Sequence, residues 1–115
     1  MSQTQSKTFD EMLEAVRAFH LKHDFKGTRN EDLRYRMALL VEELGEIAQA
    51  VTKGLPAEKL AEEHADLLIL LLGNAVSAGI PLEDAFWRKL ERIMTRPAKQ
   101  VGDTIRITEA SSWQG

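Results

Sequence analysis

The chain has no cysteine, and only three prolines and seven glycines in 115 residues. The missing thiols exclude a disulfide scaffold, a thiol nucleophile and a zinc site built on thiolates, and they point to a cytosolic setting. Long apolar runs are missing too. The longest, Leu67 to Leu72, is closed by Asp66 on one side and Gly73-Asn74 on the other, well short of the roughly 20 residues that cross a bilayer. The first 24 residues are polar and carry acids, unlike a secretory leader. A soluble, cytoplasmic protein with no membrane partner is expected. Nor is there an excess of positive charge. Lys and Arg number 15 against 18 Asp and Glu, a net charge of −3, which gives no general attraction to a nucleic-acid backbone.

What is present is a 43% apolar chain, enough to bury the core of one compact domain over residues 1–115, with the core at about 8–97 and a tail over 98–115. Its charge is sorted by segment. Glu42 to Asp66 holds seven acids against Lys53 and Lys59, whereas Phe86 to Arg106 holds six bases against Glu91 and Asp103.

The punctuation is helical. Gly54-Leu55-Pro56 and Gly79-Ile80-Pro81 repeat one device: a left-handed Gly ends a helix, an apolar residue packs back, and Pro opens the next helix. Thr8…Glu11 and Thr28…Glu31 fit the capping box that starts a helix. The spacing predicts helices from about Thr8 to Asp24, Asn30 to Lys53, Pro56 to Ala78 and Pro81 to Arg96. Beyond these, the alternation Thr104 to Thr108 predicts one short edge strand. Leu33, Met37, Leu40, Leu44, Ile47 and Val51 step at helical spacing and read as the core stripe of the second helix. The third helix is apolar almost all round from Leu67 to Leu72, which predicts an interface with another copy. The fold class expected is all-α: a four-helix core with an antiparallel acidic hairpin, assembled as an oligomeric bundle. Trp87 reads as core or interface. Trp113 reads as a cover for a partner subunit or as unstructured chain.

Two acidic pairs carry the chemistry. Glu43 and Glu46 are three apart on the second helix, as are Glu63 and Asp66 on the third, so each pair lies on one face. Folding the hairpin about Gly54-Leu55 sets Glu43 level with Asp66 and Glu46 level with Glu63. Four facing carboxylates repel unless a cation neutralises them, and an all-oxygen set suits Mg²⁺ or Mn²⁺. A di-iron bundle would need Glu-x-x-His, but Ala61 stands three residues before His64. Glu42 and Glu62 project outward and read as solvated. Asn74 shares the face of Asp66 and reads as a structural amide or a ligand contact. His20 and His23, taken alone, read as surface residues.

Glu42-Glu43-Leu44-Gly45-Glu46, followed after 16 residues by Glu63-His64-Ala65-Asp66, resembles the E-x-x-E…E-x-x-D signature of the all-α nucleoside triphosphate pyrophosphatases, the MazG-like superfamily. The likeness runs over roughly residues 9 to 97. It implies a dimer or tetramer that uses Mg²⁺ to cleave a nucleoside triphosphate to the monophosphate and pyrophosphate. It implies metal-binding roles for Glu43, Glu46, Glu63 and Asp66, and phosphate contact by Lys89. Many relatives carry Asn four residues after that Lys, where this chain has Ile93, with Arg92 and Arg96 nearby. The resemblance also implies base contacts from the end of the first helix and its loop, here His20, Phe25 and Arg29.

The residues suit that chemistry in their own right. A triphosphate brings about four negative charges into an acidic pocket, so metal must bridge carboxylate and phosphate, and cations such as Lys89, Arg92 and Arg96 must meet the outer oxygens. The plainer reading of those three is a solvated helix end. Glu46 is the natural proton acceptor. Within the same superfamily, phosphoribosyl-ATP pyrophosphohydrolase is the enzymatic alternative, although its chain is typically short before the first acidic motif and this one spends about forty residues there. A helical bundle that only binds a partner or a nucleotide is the alternative from another class.

Overall fold

A computed structural model describes residues 6–108, so Trp113 lies outside the described residues. Helix α1, Phe9–Lys22, starts where the Glu11 amide donates to Thr8 Oγ1 and the Thr8 amide to Glu11 Oε1, both at 3.1 Å. This is the capping box, and it satisfies two amides that a first turn leaves without partners. The second expected box forms differently. Thr28 Oγ1 accepts from Asn30 N at 3.1 Å and caps a short 3-10 turn, Arg29–Glu31, while Glu31 Oε1 accepts from the Gly27 amide at 3.0 Å. Helix α2, Leu33–Thr52, therefore begins later than the spacing suggests, capped by Asp32, whose Oδ1 accepts from the Arg34 amide at 2.9 Å.

Helices α3, Ala57–Ala78, and α4, Leu82–Met94, follow the two Gly-apolar-Pro stops. Gly54 and Gly79 are left-handed, with φ of 64° and 65°. The amide behind each reaches back into its helix, Leu55 to Ala50 O at 3.0 Å and Ile80 to Ala75 O at 3.2 Å. These bonds satisfy carbonyls at the helix ends.

After α4, strands β1, Ala98–Val101, and β2, Thr104–Ile107, pair antiparallel. Alternation predicted only β2. The Ala-Lys-Gln-Val of β1 does not alternate; it pairs because Gly102, at φ 61°, makes a two-residue turn that sets Val101 opposite Thr104. The described residues thus form an all-α fold of four helices followed by a small two-stranded sheet.

The chain forms two compact units, one ending at Ile80 and the other starting at Pro81. In the first, the buried apolar residues are Val16, Ala50, Leu72 and Ala75. Helix α2 turns a different face inward from the one its leucines mark. Arg36 and Ala50 are buried and Leu39 and Glu43 half-buried, whereas Leu33, Met37, Leu44 and Val51 are 41–59% exposed. The stripe read as core is therefore only half-covered, at Leu40 and Ile47. The physical reason is that α2 meets α3 through the face carrying Arg36 and Ala50, and among the described residues of the first unit nothing buries the opposite face. On α3, Leu68, Ile69 and Leu71 are also exposed. Among the described residues, no single helix is long and apolar enough to cross a membrane.

Candidate active site

The α2–α3 hairpin brings carboxylates together as the register implies. One oxygen each of Glu43, Glu63 and Asp66 lies within 4.8 Å of the others. Glu43 is half-buried, Glu63 buried and Asp66 exposed. Burial pushes the Glu43 carboxyl above the usual carboxylate range, and the charges of Asp66, Glu63, Glu46 and Glu42 push it further. Its Oε2 is buried with no hydrogen-bond partner. Glu63 has a partner: Lys59 Nζ lies 3.2 Å from its Oε1, one helical turn back on α3, and 3.8 Å from Glu62 Oε2. The bond to Glu63 and the nearby charge of Glu62 hold the Lys59 ammonium above its ordinary range. Glu46 is not in the three-carboxylate group. It is exposed on the next turn of α2, close enough for its charge to act on Glu43. Glu42 and Glu62 are exposed, as expected.

This donor set fits a hard divalent cation. It is all oxygen, it concentrates negative charge, and it includes a buried acceptor atom that nothing among the described residues satisfies.

One turn along the same groove lies an aromatic cavity of about 180 Å³. Phe19 and His20 at the end of α1 line it with Phe25 and Asn30 from the following segment. Its other wall is Arg36 and Leu39 of α2 with Ile69 and Leu70 of α3. Leu39 precedes Glu43 by four residues and Leu70 follows Asp66 by four, so the cavity begins about 6 Å along the helices from the carboxylates. Phe19 and Phe25 meet edge to face, with centroids 5.5 Å apart at 74°, and the His20 and Phe25 rings lie 4.8 Å apart, tilted at 44°. His20 is buried rather than at the surface. Burial first, then the Arg36 and Arg17 charges, hold its imidazole below the usual range, against a smaller upward pull from Glu31. Its Nδ1 has no partner. His23 is exposed, its ring 5.0 Å from that of Phe19.

Arg36 is the residue that sequence reasoning missed. It is 2% exposed. Its guanidinium donates from Nε to Asn74 Oδ1 at 2.7 Å, from Nη1 to Asn30 O at 2.9 Å and from Nη2 to Leu70 O at 3.1 Å. Every acceptor is neutral. Gly73 makes room for it, since a Cβ there would collide with the guanidinium and press on His20 Nε2. Asn74 thus takes the structural role. The available signal was position: 36 continues the face of α2 that carries Leu39, Glu43 and Ala50, the face that bears the acidic motif.

Of the other sequence-marked residues, Arg29 belongs to the first unit and Lys89, Arg92, Arg96 and Trp87 to the second. Arg29 is exposed, stacks over the Tyr35 ring at 5.3 Å and does not line the cavity. Lys89 and Arg92 are exposed on α4, in the second unit, and Arg96 just beyond that helix is half-buried. Trp87 on α4 is 60% exposed, against its reading as core, and packs edge to face on Phe86.

Compared with known families, residues 6–94 match the model of phosphoribosyl-ATP pyrophosphohydrolase. The chain belongs to the phosphoribosyl-ATP pyrophosphohydrolase family. That family lies within the MazG-like all-α superfamily, so the resemblance carried by the acidic motifs holds at the level of the superfamily. The match takes in residues 6–42, nearly all of the stretch before Glu43 that is long for this family. Neither the curated proteins nor the solved structures give a match. Membership makes the protein a hydrolase, a pyrophosphohydrolase acting on a nucleotide triphosphate, and members typically need a divalent metal.

Proposed function

We propose that the protein is a Mg²⁺-dependent nucleoside triphosphate pyrophosphohydrolase of the cytoplasmic nucleotide pool, releasing the monophosphate and pyrophosphate. The observation that carries this reading is the convergence of Glu43, Glu63 and Asp66 within 4.8 Å, with a buried, unpartnered oxygen on Glu43. These three residues would hold Mg²⁺ or Mn²⁺. When bound, the ion supplies charge neutralisation and Lewis acidity. Glu46, exposed beside the cluster, accepts the proton of the attacking water. The water oxygen bonds to the α-phosphorus, the bridge to the β-phosphorus breaks, and pyrophosphate leaves. Lys89 is assigned to the phosphates on the strength of the sequence motif, and Arg92 and Arg96 join it as cations of the same basic segment. The aromatic cavity takes the base, with His20 and Phe25 on its wall.

The family match favours a second substrate, phosphoribosyl-ATP, which undergoes the same bond cleavage. Exposed apolar faces on α2 and α3 support a homodimer or homotetramer, since a monomer rarely leaves so much apolar surface in water. Pyrophosphate release from a panel of nucleoside triphosphates and phosphoribosyl-ATP, with Mg²⁺ and with EDTA, tests the reading. Metal-dependent release from at least one member is expected. No release from any would leave a partner- or nucleotide-binding bundle as the better account.

A further inference from the structure

The three converging carboxylates come from two helices. Glu43 stands on α2, Glu63 and Asp66 on α3, so the separation and register of these helices set the distance between the donor oxygens. One end of the hairpin is closed by the short turn at Gly54-Leu55, but Glu43 lies eleven residues before that turn, about 16 Å along the helix. Past Glu43 the hairpin is open, and facing carboxylates push its arms apart.

Arg36 closes the open end. It precedes Glu43 by seven residues, two turns along the same face. Its Nε donates to Asn74 Oδ1 and its Nη2 to Leu70 O, both on α3, while Nη1 donates to Asn30 O in the turn before α2. Leu70 and Asn74 follow Asp66 by four and eight residues, which places the clamp about 6 to 12 Å along the helices from the carboxylates. Gly73 lets the arms come this close, since a Cβ there would collide with the guanidinium. The clamp is not an ion pair. Among the described residues no carboxylate bonds to Arg36, although the side chain is almost wholly buried, and burial weakens its hold on its proton. An apolar side chain of similar volume would join α2 to α3 with less loss of solvation, but it would leave the helices free to slide. Three bonds from a planar, rigid fork fix both distance and register.

We propose that Arg36 is a positioning residue for the cation: by clamping α2 to α3 it holds Glu43 at the distance from Glu63 and Asp66 that a small ion requires. The inference rests on the reading of those three carboxylates as the cation site. Mg²⁺ demands near-octahedral oxygens at about 2.0–2.1 Å, whereas Ca²⁺ accepts a flexible shell at about 2.3–2.6 Å. A loosened clamp therefore weakens Mg²⁺ and spares Ca²⁺. Lower stability alone, or loss of the Arg36 charge alone, moves both ions together.

Affinities of Mg²⁺ and Ca²⁺ are measured on the full chain, well below its melting transition, by competition with Mn²⁺ followed by paramagnetic resonance. In Arg36→Met and in Asn74→Ala, Mg²⁺ affinity is expected to fall about tenfold or more relative to Ca²⁺, the scale on which the outer partners of metal ligands act. Arg36→Lys keeps the charge without the fork and shifts the ratio in the same direction. Val16→Ala, which opens the buried side of α1, lowers stability and leaves the ratio alone. Asn74→Ala retains two of the three bonds, so it decides the question if Arg36→Met does not fold. An unchanged ratio in Asn74→Ala and the foldable Arg36 variants, or an equal shift in Val16→Ala, overturns the positioning role while the cation site stands. A parent chain that binds none of the three ions overturns the cation site, and the positioning role with it.

Discussion

Arg36 on α2 donates to Asn74 Oδ1 on α3 at 2.7 Å, a bond between residues 38 apart in sequence. With Gly73 beside it, this contact fixes how α2 and α3 meet at the cavity. Asn74→Ala would leave a buried N–H of a charged group without its acceptor, at about 1–3 kcal/mol. Gly73→Ala would drive a methyl group into the guanidinium, at about 1–3 kcal/mol. Urea midpoints of the two variants should both fall, while the exposed control Ala48→Gly should lose only about 1 kcal/mol from helix propensity.

His20 sets a pH dependence of known sign. Burial depresses its pKa in the folded chain, so the unfolded chain binds the proton first. The stability it contributes is complete above the unfolded value of about 6.5 and is lost as pH falls through the lower folded value. Melting temperature should decline on that acid limb, and His20→Gln should flatten the decline. A slope unchanged in the variant would place the titrating group elsewhere.

Legibility followed locality. Thr8 with Glu11, and Gly54 and Gly79 with the apolar residues behind them, act within one turn of chain, and the structure forms them as the spacing predicts. The level of Glu43 with Asp66 was readable because a short turn fixes the register of a helical hairpin. The inward face of α2 was not, because hydrophobic spacing finds an apolar stripe without saying whether this chain or another covers it. Leu44 and Val51 satisfied the period and yet lie exposed, while Arg36 broke it and is buried. Its acceptors, Leu70 and Asn74, come from α3, and no local pattern shows a partnership across so much chain.

The exposed stripe leads to an expectation about assembly. Met37 and Leu71 are 53% and 41% exposed, and in a monomer a charge at either would be nearly neutral, within about 0.5 kcal/mol. If the stripe is an interface between copies, Met37→Glu and Leu71→Glu should each shift the mass found by light scattering toward the monomer and lower the melting temperature. A wild-type monomer at micromolar concentration would refute the assembly.

The three-carboxylate group and Glu46 should separate in their behaviour. Glu43, Glu63 and Asp66 converge, whereas Glu46 stands exposed beside them, so the first three are expected to control ion affinity and the fourth the proton. An ion that binds only the folded chain stabilises it by about 2.7 kcal/mol at a hundred times its dissociation constant. Mg²⁺ or Mn²⁺ should therefore raise the melting temperature of the parent. Glu43→Gln, Glu63→Gln and Asp66→Asn should lose that rise along with pyrophosphate release. Glu43→Gln should also melt higher than the parent without metal, because a charge disfavoured by burial and by four neighbouring acids is gone. Glu46→Gln should keep the metal-dependent rise yet lose about 10²- to 10⁴-fold in turnover, the range for removing a general base. Glu58→Gln, exposed in the first turn of α3 and outside the cluster, should change neither. If Glu46→Gln instead abolishes the thermal response, Glu46 is a ligand as the four-carboxylate register first implied, and the proton must go to another group.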